Sequence, residues 1–528
     1  MPHAMNLPEK SSPELGRWLI AFAVMSSAVM EILDTSVVNV SLPHMAGSLS
    51  ATVDEATWVL TSYIVANAII LPITGWLAGI LGRKRLLQIV VTGFTLSSIL
   101  CGLAPNLPLL IFFRVLQGTT GGGLQPLSQS VLLDEFPGKE RGKAMGFWGL
   151  GIVAAPILGP SLGGWITDSY SWRWVFYINL PVGVLSLIMI SLFVHDPAHI
   201  KRGGVRIDAI GLGMLAIGMG SLQVMLDKGQ EEDWFGSRFI VTLAVLAIVL
   251  LVAFVFRELH TPEPIVRFRL LRHRNFAAGV VLAWVLGFVL YGSLILLPLF
   301  MQTLLGWTAK TAGLWTSPRG IGTALLMPVV GFLLGKGWDG RWMLAIGFVV
   351  ASLSLFGFST MTLQSGTWDI FFYQICQGLG MSLVFVPLTT LTMDPIPRLE
   401  TGYATSLYSV MRNVGSSVGI SFVTTWLARR SQFHQSILAG HVTPYSMQFQ
   451  QMQGQISNML FLREGVDSGT AHDQAMALIY GSVRRQASLL SFIEAFHVIG
   501  IGFLVCTVLI LFMRRSKHHR SGPSPVQE

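Results

Sequence analysis

Residues 18–41 read WLIAFAVMSSAVMEILDTSVVNVS, an apolar run whose only charges are Glu31 and Asp34. Roughly 20 apolar residues carry a helix across a bilayer core, so the run reads as a transmembrane helix holding two carboxylates. No small-residue cleavage site follows its apolar start, and it reads as a first span rather than a removed signal. Comparable stretches recur as far as Met513. They place spans at 18–41, 55–79, 86–104, 107–131, 143–166, 173–195, 208–227, 238–257, 275–300, 310–334, 342–361, 368–392, 402–427 and 490–513. The expected fold is an all-α membrane protein of fourteen transmembrane helices, with function confined to the few polar groups those helices tolerate.

Composition agrees. Of 528 residues, 52% are hydrophobic and 12% charged, with a mean hydropathy of +0.61; soluble domains carry about 25% charged residues. The net charge of +8 would suit nucleic acid, but the basic residues are spread over short loops, which speaks against that partner. They cluster at Arg83/Lys84/Arg85, Lys139/Arg141/Lys143, Lys201/Arg202/Arg206, Arg267/Arg269/Arg272/Arg274 and Arg514/Arg515/Lys517/Arg520. An even number of spans puts both termini on one side. All five clusters fall there, so the positive-inside bias makes that side cytoplasmic. Cys101, Cys376 and Cys506 lie far apart in apolar stretches and build neither a disulfide nor a metal framework. Two G-x-G-x-x-A strings follow no strand, and Gly331–Lys336 lacks the Ser/Thr of a phosphate loop, so nucleotide drive is not expected. No nucleophile–base pair suggests an enzyme, and no cofactor or metal is expected.

The chain also repeats itself. A shift of 260 residues carries Phe112, Gln117, Gly118, Asp134, Pro137, Glu140, Gly142 and Ala144 onto Phe372, Gln377, Gly378, Asp394, Pro397, Glu400, Gly402 and Ala404. A shift of 256 carries Gly75, Leu77, Gly79 and Arg85 onto Gly331, Leu333, Gly335 and Arg341. Parallel repeats of this kind build one class of secondary transporter. The expected layout is a cytoplasmic N-terminus at 1–17, a six-helix bundle at 18–195, two linker helices within 196–274, a second six-helix bundle at 275–513 and a cytoplasmic tail at 514–528. The second bundle includes a long outer loop, 428–489, rich in Gln, Ser, Met and His. Its part from Ala471 to Ser488 has the pattern of an amphipathic helix.

Polar groups inside the spans carry the chemistry. A carboxyl group in an apolar medium is costly when ionised and takes up a proton readily, which suits a proton carrier. Glu31 and Asp34 are three residues apart and share a helix face. Arg114, in Arg114-Val-Leu-Gln117-Gly118, stays charged at any accessible pH and must pair or meet water; Asp34 is its natural partner. The repeat puts Gln374 opposite Arg114, so this charge exists in one half only. Such a pair serves either coupling or plain structural stabilisation, and Glu31 is either a second proton site or the lining of a wet cavity. Ala155-Pro156-Ile-Leu-Gly159-Pro160-Ser-Leu-Gly163-Gly164 combines small residues at four-residue spacing with two prolines, a face for close helix approach and bending. Gly75-Trp-Leu-Ala-Gly79-Ile-Leu-Gly82-Arg83-Lys84-Arg85 forms the loop after the second span. Arg412-Asn413 lie mid-span, and Glu494 with His497 lie near the outer end of the last span; they line a substrate cavity or pair structurally.

These motifs resemble the major facilitator superfamily, in its fourteen-helix drug:proton antiporter branch, and among its members the EmrB-type multidrug exporters of Gram-negative bacteria. The resemblance runs from about Leu33 to Met513. It implies that Asp34, Glu31 and Arg114 couple protons, that Pro156, Gly159, Pro160, Gly163 and Gly164 form the antiporter motif, and that Gly75, Gly82 and Arg83 form a cytoplasmic gate. Where the superfamily pattern has an aspartate this chain has Gly79, which puts the usual charge latch of that gate in doubt. Candidate cavity residues are Asn39, Trp58, Tyr63, Asn67 and Tyr291, with Arg412, Asn413 and Glu494. The implied function is proton-coupled export of amphipathic or hydrophobic small molecules from a bacterial inner membrane. The implied partners are a periplasmic membrane-fusion adaptor, EmrA-like, and through it an outer-membrane channel. A proton-coupled uptake carrier and a non-transporting membrane sensor or scaffold remain as alternatives.

Overall fold

The computed structural model describes residues 14–136, 140–195, 208–443, 445–464 and 467–513. Pro137, Lys139, Lys201, Arg202, Arg206, the Arg514–Arg520 cluster and most of both expected tails lie outside them. Among the described residues the secondary structure is helical. The first group is α1 (Glu14–Ser48), α2 (Val53–Ile70), α3 (Thr74–Leu81), α4 (Arg83–Leu103), α5 (Leu107–Gly121), α6 (Leu124–Glu135), α7 (Arg141–Ser169), α8 (Trp174–Tyr177) and α9 (Asn179–Phe193). Then come α10 (Ala209–Lys228) and α11 (Arg238–His260). The second group is α12 (Arg274–Thr303), α13 (Ala309–Thr316), α14 (Pro318–Gly335), α15 (Gly340–Phe358), α16 (Thr367–Met393), α17 (Thr401–His441), α18 (Met447–Glu464) and α19 (Ser468–Leu509).

Helix starts follow local chemistry. Thr52 and Glu55 make a reciprocal capping box on α2. Asn106 caps α5, with Pro108 in its first turn where the missing N–H costs nothing. Gly82 joins α3 to α4 at φ +84°, a conformation that a Cβ disfavours.

Twelve helices among the described residues are long and apolar enough to cross a membrane. Two of the expected spans fall outside that set for physical reasons. The fourth is broken at Gly122-Gly123 into α5 and α6, each too short alone. The thirteenth, at the start of α17, is rich in Ser, Thr and Gly. Both pack deep in the molecule, with Arg114, Leu124, Ala404 and Tyr408 fully buried. The stretch expected as an outer loop is instead helical. α17 continues to His441, α18 follows, and α19 begins at Ser468 and runs unbroken into the last span.

In the first group α1 packs on α7 and α9, and α2 on α5; in the second, α12 packs on α17, and α14 and α15 on α16. α10 packs on α11 and against α2. The groups meet where α7 touches α14 and where α17 touches α3 and α6. Two of the backbone crossings are glycine on glycine. A Cβ at Gly75 would lie 2.7 Å from the Gly402 carbonyl oxygen, and one at Gly331 would lie 2.7 Å from that of Gly142. The shifts that carry 75 to 331 and 142 to 402 turn one crossing into the other. Side chains reinforce the seam. Arg83 pairs with Asp134 of its own group and donates at 3.4 Å to the Arg398 carbonyl of the other. Ser406 donates to the Leu71 carbonyl.

Overpacking such a contact costs about 1–3 kcal/mol, at least roughly fivefold in the population of the closed form. In a background with Cys101, Cys376 and Cys506 replaced by serine, a cysteine at the fully buried Ala404 is expected to react with maleimide at least about fivefold faster when Gly75→Val is added. Equal rates would mean that the seam tolerates a side chain.

Candidate functional site

Asp34 lies mid-α1 with no exposed surface. Three side chains donate to its carboxylate. The Arg114 Nη1 is 2.6 Å from Oδ2, and Gln117 Nε2 and Asn179 Nδ2 are 3.0 and 2.6 Å from Oδ1. Arg114 is equally buried. Its Nε donates to the Val59 carbonyl at 3.0 Å, its Nη1 also to Gln117 Oε1 at 2.7 Å, and the Tyr63 ring covers it at 4.1 Å. The site thus draws on α1, α2, α5 and α9.

Glycines let these helices come close enough. A Cβ at Gly118 would overlap the Tyr63 carbonyl, and one at Gly122 would lie 2.6 Å from the Asn67 oxygen. The proline motif serves the same end. Pro160 has no N–H to return to the Pro156 carbonyl, and Ser36 of α1 donates to that carbonyl at 3.2 Å. A Cβ at Gly159 would overlap Ser36, and one at Gly163 would lie 2.9 Å from the Val37 oxygen. Gly159 and Gly163 therefore sit against the Asp34 helix, within one group, whereas Pro156 also borders the cavity between the groups and Pro160 faces Gly313 of α13 in the other group. Gly164 faces Val40 only at 4.0 Å.

Glu31 stands apart from Asp34 on the same face, with different partners. Asn67 Nδ2 donates to its Oε1 at 2.8 Å, while Oε2 is buried without a hydrogen bond. Gln125 of α6 lies beside the Glu31 carboxylate and accepts from Arg412 of α17. A chain of side chains thus runs from Glu31 to the second group. Arg412 borders a cavity between the groups, together with Pro156 and Ile157 of α7, Tyr291 of α12, Arg319 of α14 and Phe385 of α16.

Several expected cavity residues lie elsewhere. Trp58 turns toward α10, with the Lys228 ammonium 5.6 Å from its ring. Tyr63 covers Arg114, and Asn67 donates to Glu31. Asn39 is exposed. Asn413 is not among the lining residues, and its Oδ1 is buried without a hydrogen bond. Glu494 pairs with Arg430 and His434, its Oε1 lying 2.6 Å from Arg430 Nη2 and 3.0 Å from His434 Nε2. His497 is turned to the Ile493 carbonyl at 3.2 Å and stacks on Phe356. Of the expected set, Tyr291 and Arg412 line the cavity. A Cβ at Gly79 would lie 3.4 Å from the Tyr403 hydroxyl, so a tyrosine of the other group borders the position where the superfamily pattern has an aspartate. The roles of Gln125, Asn179 and Arg319 were missed from the sequence. The 256-residue shift that carries Gly75 to Gly331 also carries Tyr63 to Arg319, and it was the available signal.

A family model described as Major Facilitator Superfamily matches residues 24–420. The multidrug export protein EmrB of Haemophilus influenzae is 39% identical over 498 residues, 94% of this chain and 95% of its own. The fatty acid resistance protein FarB of Neisseria gonorrhoeae is 36% identical over 516 residues, 97% and 99% of the two chains. Among solved structures, the proton:xylose symporter XylE superposes with a TM-score of 0.59 at 14% identity, over 96% of this chain and 98% of its own; that likeness is one of fold.

Deleting one partner of a buried ion pair costs about 3–5 kcal/mol, and leaving a buried acceptor short of one donor costs about 1–3 kcal/mol. Thermal unfolding in detergent is expected to rank wild type above Asn179→Ala, and Asn179→Ala above Arg114→Ala. An Arg114→Ala protein as stable as wild type would contradict the buried pair.

Proposed function

The chain belongs to the major facilitator superfamily, and we propose that it exports amphipathic or hydrophobic small molecules in exchange for protons, by alternating access. The observation that carries this reading is the Asp34 carboxylate. It is sealed from solvent and held by Arg114, Gln117 and Asn179, while Glu31 on the same helix connects through Gln125 to Arg412 at the cavity. Arg114 keeps its charge at any accessible pH, so a proton arriving on Asp34 removes the anion that answers it and alters the fit of α1 against α5 and α9. Substrate in the cavity favours the unprotonated form. One charge across 100 mV supplies about 2.3 kcal/mol, enough for roughly fifty-fold accumulation per proton. Glu31, with one carboxylate oxygen unpartnered, is the second proton site.

In this reading the chain crosses the membrane fourteen times, the broken α5/α6 pair and the first part of α17 supplying two crossings. Two six-helix bundles flank α10 and α11, both termini lie in the cytoplasm, and the membrane is a bacterial inner membrane. Gly75, Gly82 and Arg83 then mark the cytoplasmic gate, closed in this conformation. The ends of α17 and α19, with α18, project on the far side. They supply the surface on which an EmrA-like periplasmic adaptor docks, leading to an outer-membrane channel. The names of the relatives, multidrug export and fatty acid resistance, support a small-molecule cargo.

Acid-inside inverted vesicles are expected to take up a lipophilic dye and to release protons when it is added. Asp34→Asn should abolish accumulation while leaving energy-independent dye binding. Accumulation by Asp34→Asn above the equilibrium level would remove Asp34 as the coupling site.

A further inference from the structure

We propose that Arg319 and Arg412 together bind the anionic head group of an amphipathic small molecule, whose apolar part lies along Ile157, Leu290, Leu294 and Phe385 of the same cavity. The inference rests on the export reading for the fate of that molecule and adds its charge class.

Arg319 opens α14, is 3% exposed and borders the cavity. Its Nε and Nη2 are buried without a hydrogen bond, and among the described residues no carboxylate pairs with it. A guanidinium does not shed its proton at accessible pH, and an unanswered buried charge is costly. Inside a membrane span such a residue marks a binding site or pathway.

The repeat sharpens the point. A Cβ at Gly118 would overlap the Tyr63 carbonyl, and a Cβ at Gly378 would overlap the Arg319 carbonyl. The 260- and 256-residue shifts carry one crossing onto the other, so Arg319 stands where Tyr63 stands in the first half. There the guanidinium of Arg114 is answered by Asp34 on α1. The corresponding α12 carries no acidic residue, and neither does α14. Neither of these two helices offers the buried Arg319 an anion.

Arg412 supplies the second cation on the same cavity. It is 6% exposed, donates to Gln125, and feels Glu31 beyond it, so it is partly answered and Arg319 is not. The rest of the wall is aliphatic and aromatic, which selects an apolar body behind the head group. A planar guanidinium suits the paired oxygens of a carboxylate or sulfonate.

The test is binding calorimetry on the full-length protein in lipid nanodiscs with three probes that share an octyl chain: octanesulfonate, ionised at every working pH, octyltrimethylammonium and octanol. Octanesulfonate is expected to bind at least about tenfold more tightly than either other probe, ~1.4 kcal/mol. Arg319→Gln is expected to erase that preference and Arg319→Lys to restore part of it. Equal or tighter binding of the cation by wild type, which requires no variant to fold, overturns the proposal, as does a preference that survives Arg319→Gln. Methanesulfonate tests the other source of the same chemistry, and binding as tight as that of octanesulfonate would make this a site for small free anions and overturn the amphiphile. Dye accumulation by the same wild-type preparation separates the two readings. Efflux without anion preference sinks this inference alone, whereas anion preference without efflux sinks the export function.

Discussion

A guanidinium that keeps its proton, placed where no water reaches, must be answered by the protein around it. Arg114 is that group, and much of the first half is arranged about it. Asp34 fixes the rotation of α1, Asn179 the start of α9, the Val59 carbonyl and the Tyr63 ring the face of α2. Gly118 and Gly122 let α5 lie against α2 closely enough for these groups to meet. Arg114 Nη2 is buried without a hydrogen bond, while the Asp34 carboxylate has donors on both oxygens. Protonation of that single group is therefore felt by four helices.

The two halves share a scaffold and differ in charge. The first half holds an acid and a base that neutralise one another; the second holds Arg319 and Arg412 on an apolar wall. Gln125 stands between, beside Glu31 on one side and accepting from Arg412 on the other. The same backbone crossings, Gly118 on Tyr63 and Gly378 on Arg319, thus frame a closed ion pair in one half and an open cation in the other.

Much of this could be read in the chain beforehand. Charges inside apolar runs stand out, so Asp34, Glu31 and Arg114 were legible, as were the spans and the repeat that relates the halves. Asn179 and Gln125 escaped because an amide carries no charge to betray it. Arg319 lies inside the expected span 310–334, but Thr316-Ser317-Pro318 beside it interrupt the apolar run against which a charge stands out. Trp58 and Glu494 were misplaced for a different reason. Which way a helix face turns is set by packing against neighbours, and α10 and α17 offered them Lys228 and Arg430. The stretch 428–489 looked like a loop because it is polar, yet α17 and α19 simply outrun the apolar segments they begin or end with.

At the end of the molecule that carries Arg83, the halves touch backbone to backbone, Gly75 on Gly402 and Gly331 on Gly142. No side chain stands between them to rotate or stretch. Surfaces of that kind mate or part, and two of them, exchanged by the same internal shift, lie at one end. In the proposed export cycle, loosening either would throw its load on the other, so that this end would open as one event with a sharp onset and not by gradual widening. A half-open passage, through which protons would run down their gradient without cargo, would then have no resting geometry, and the glycines would act as electrical insulation as much as packing.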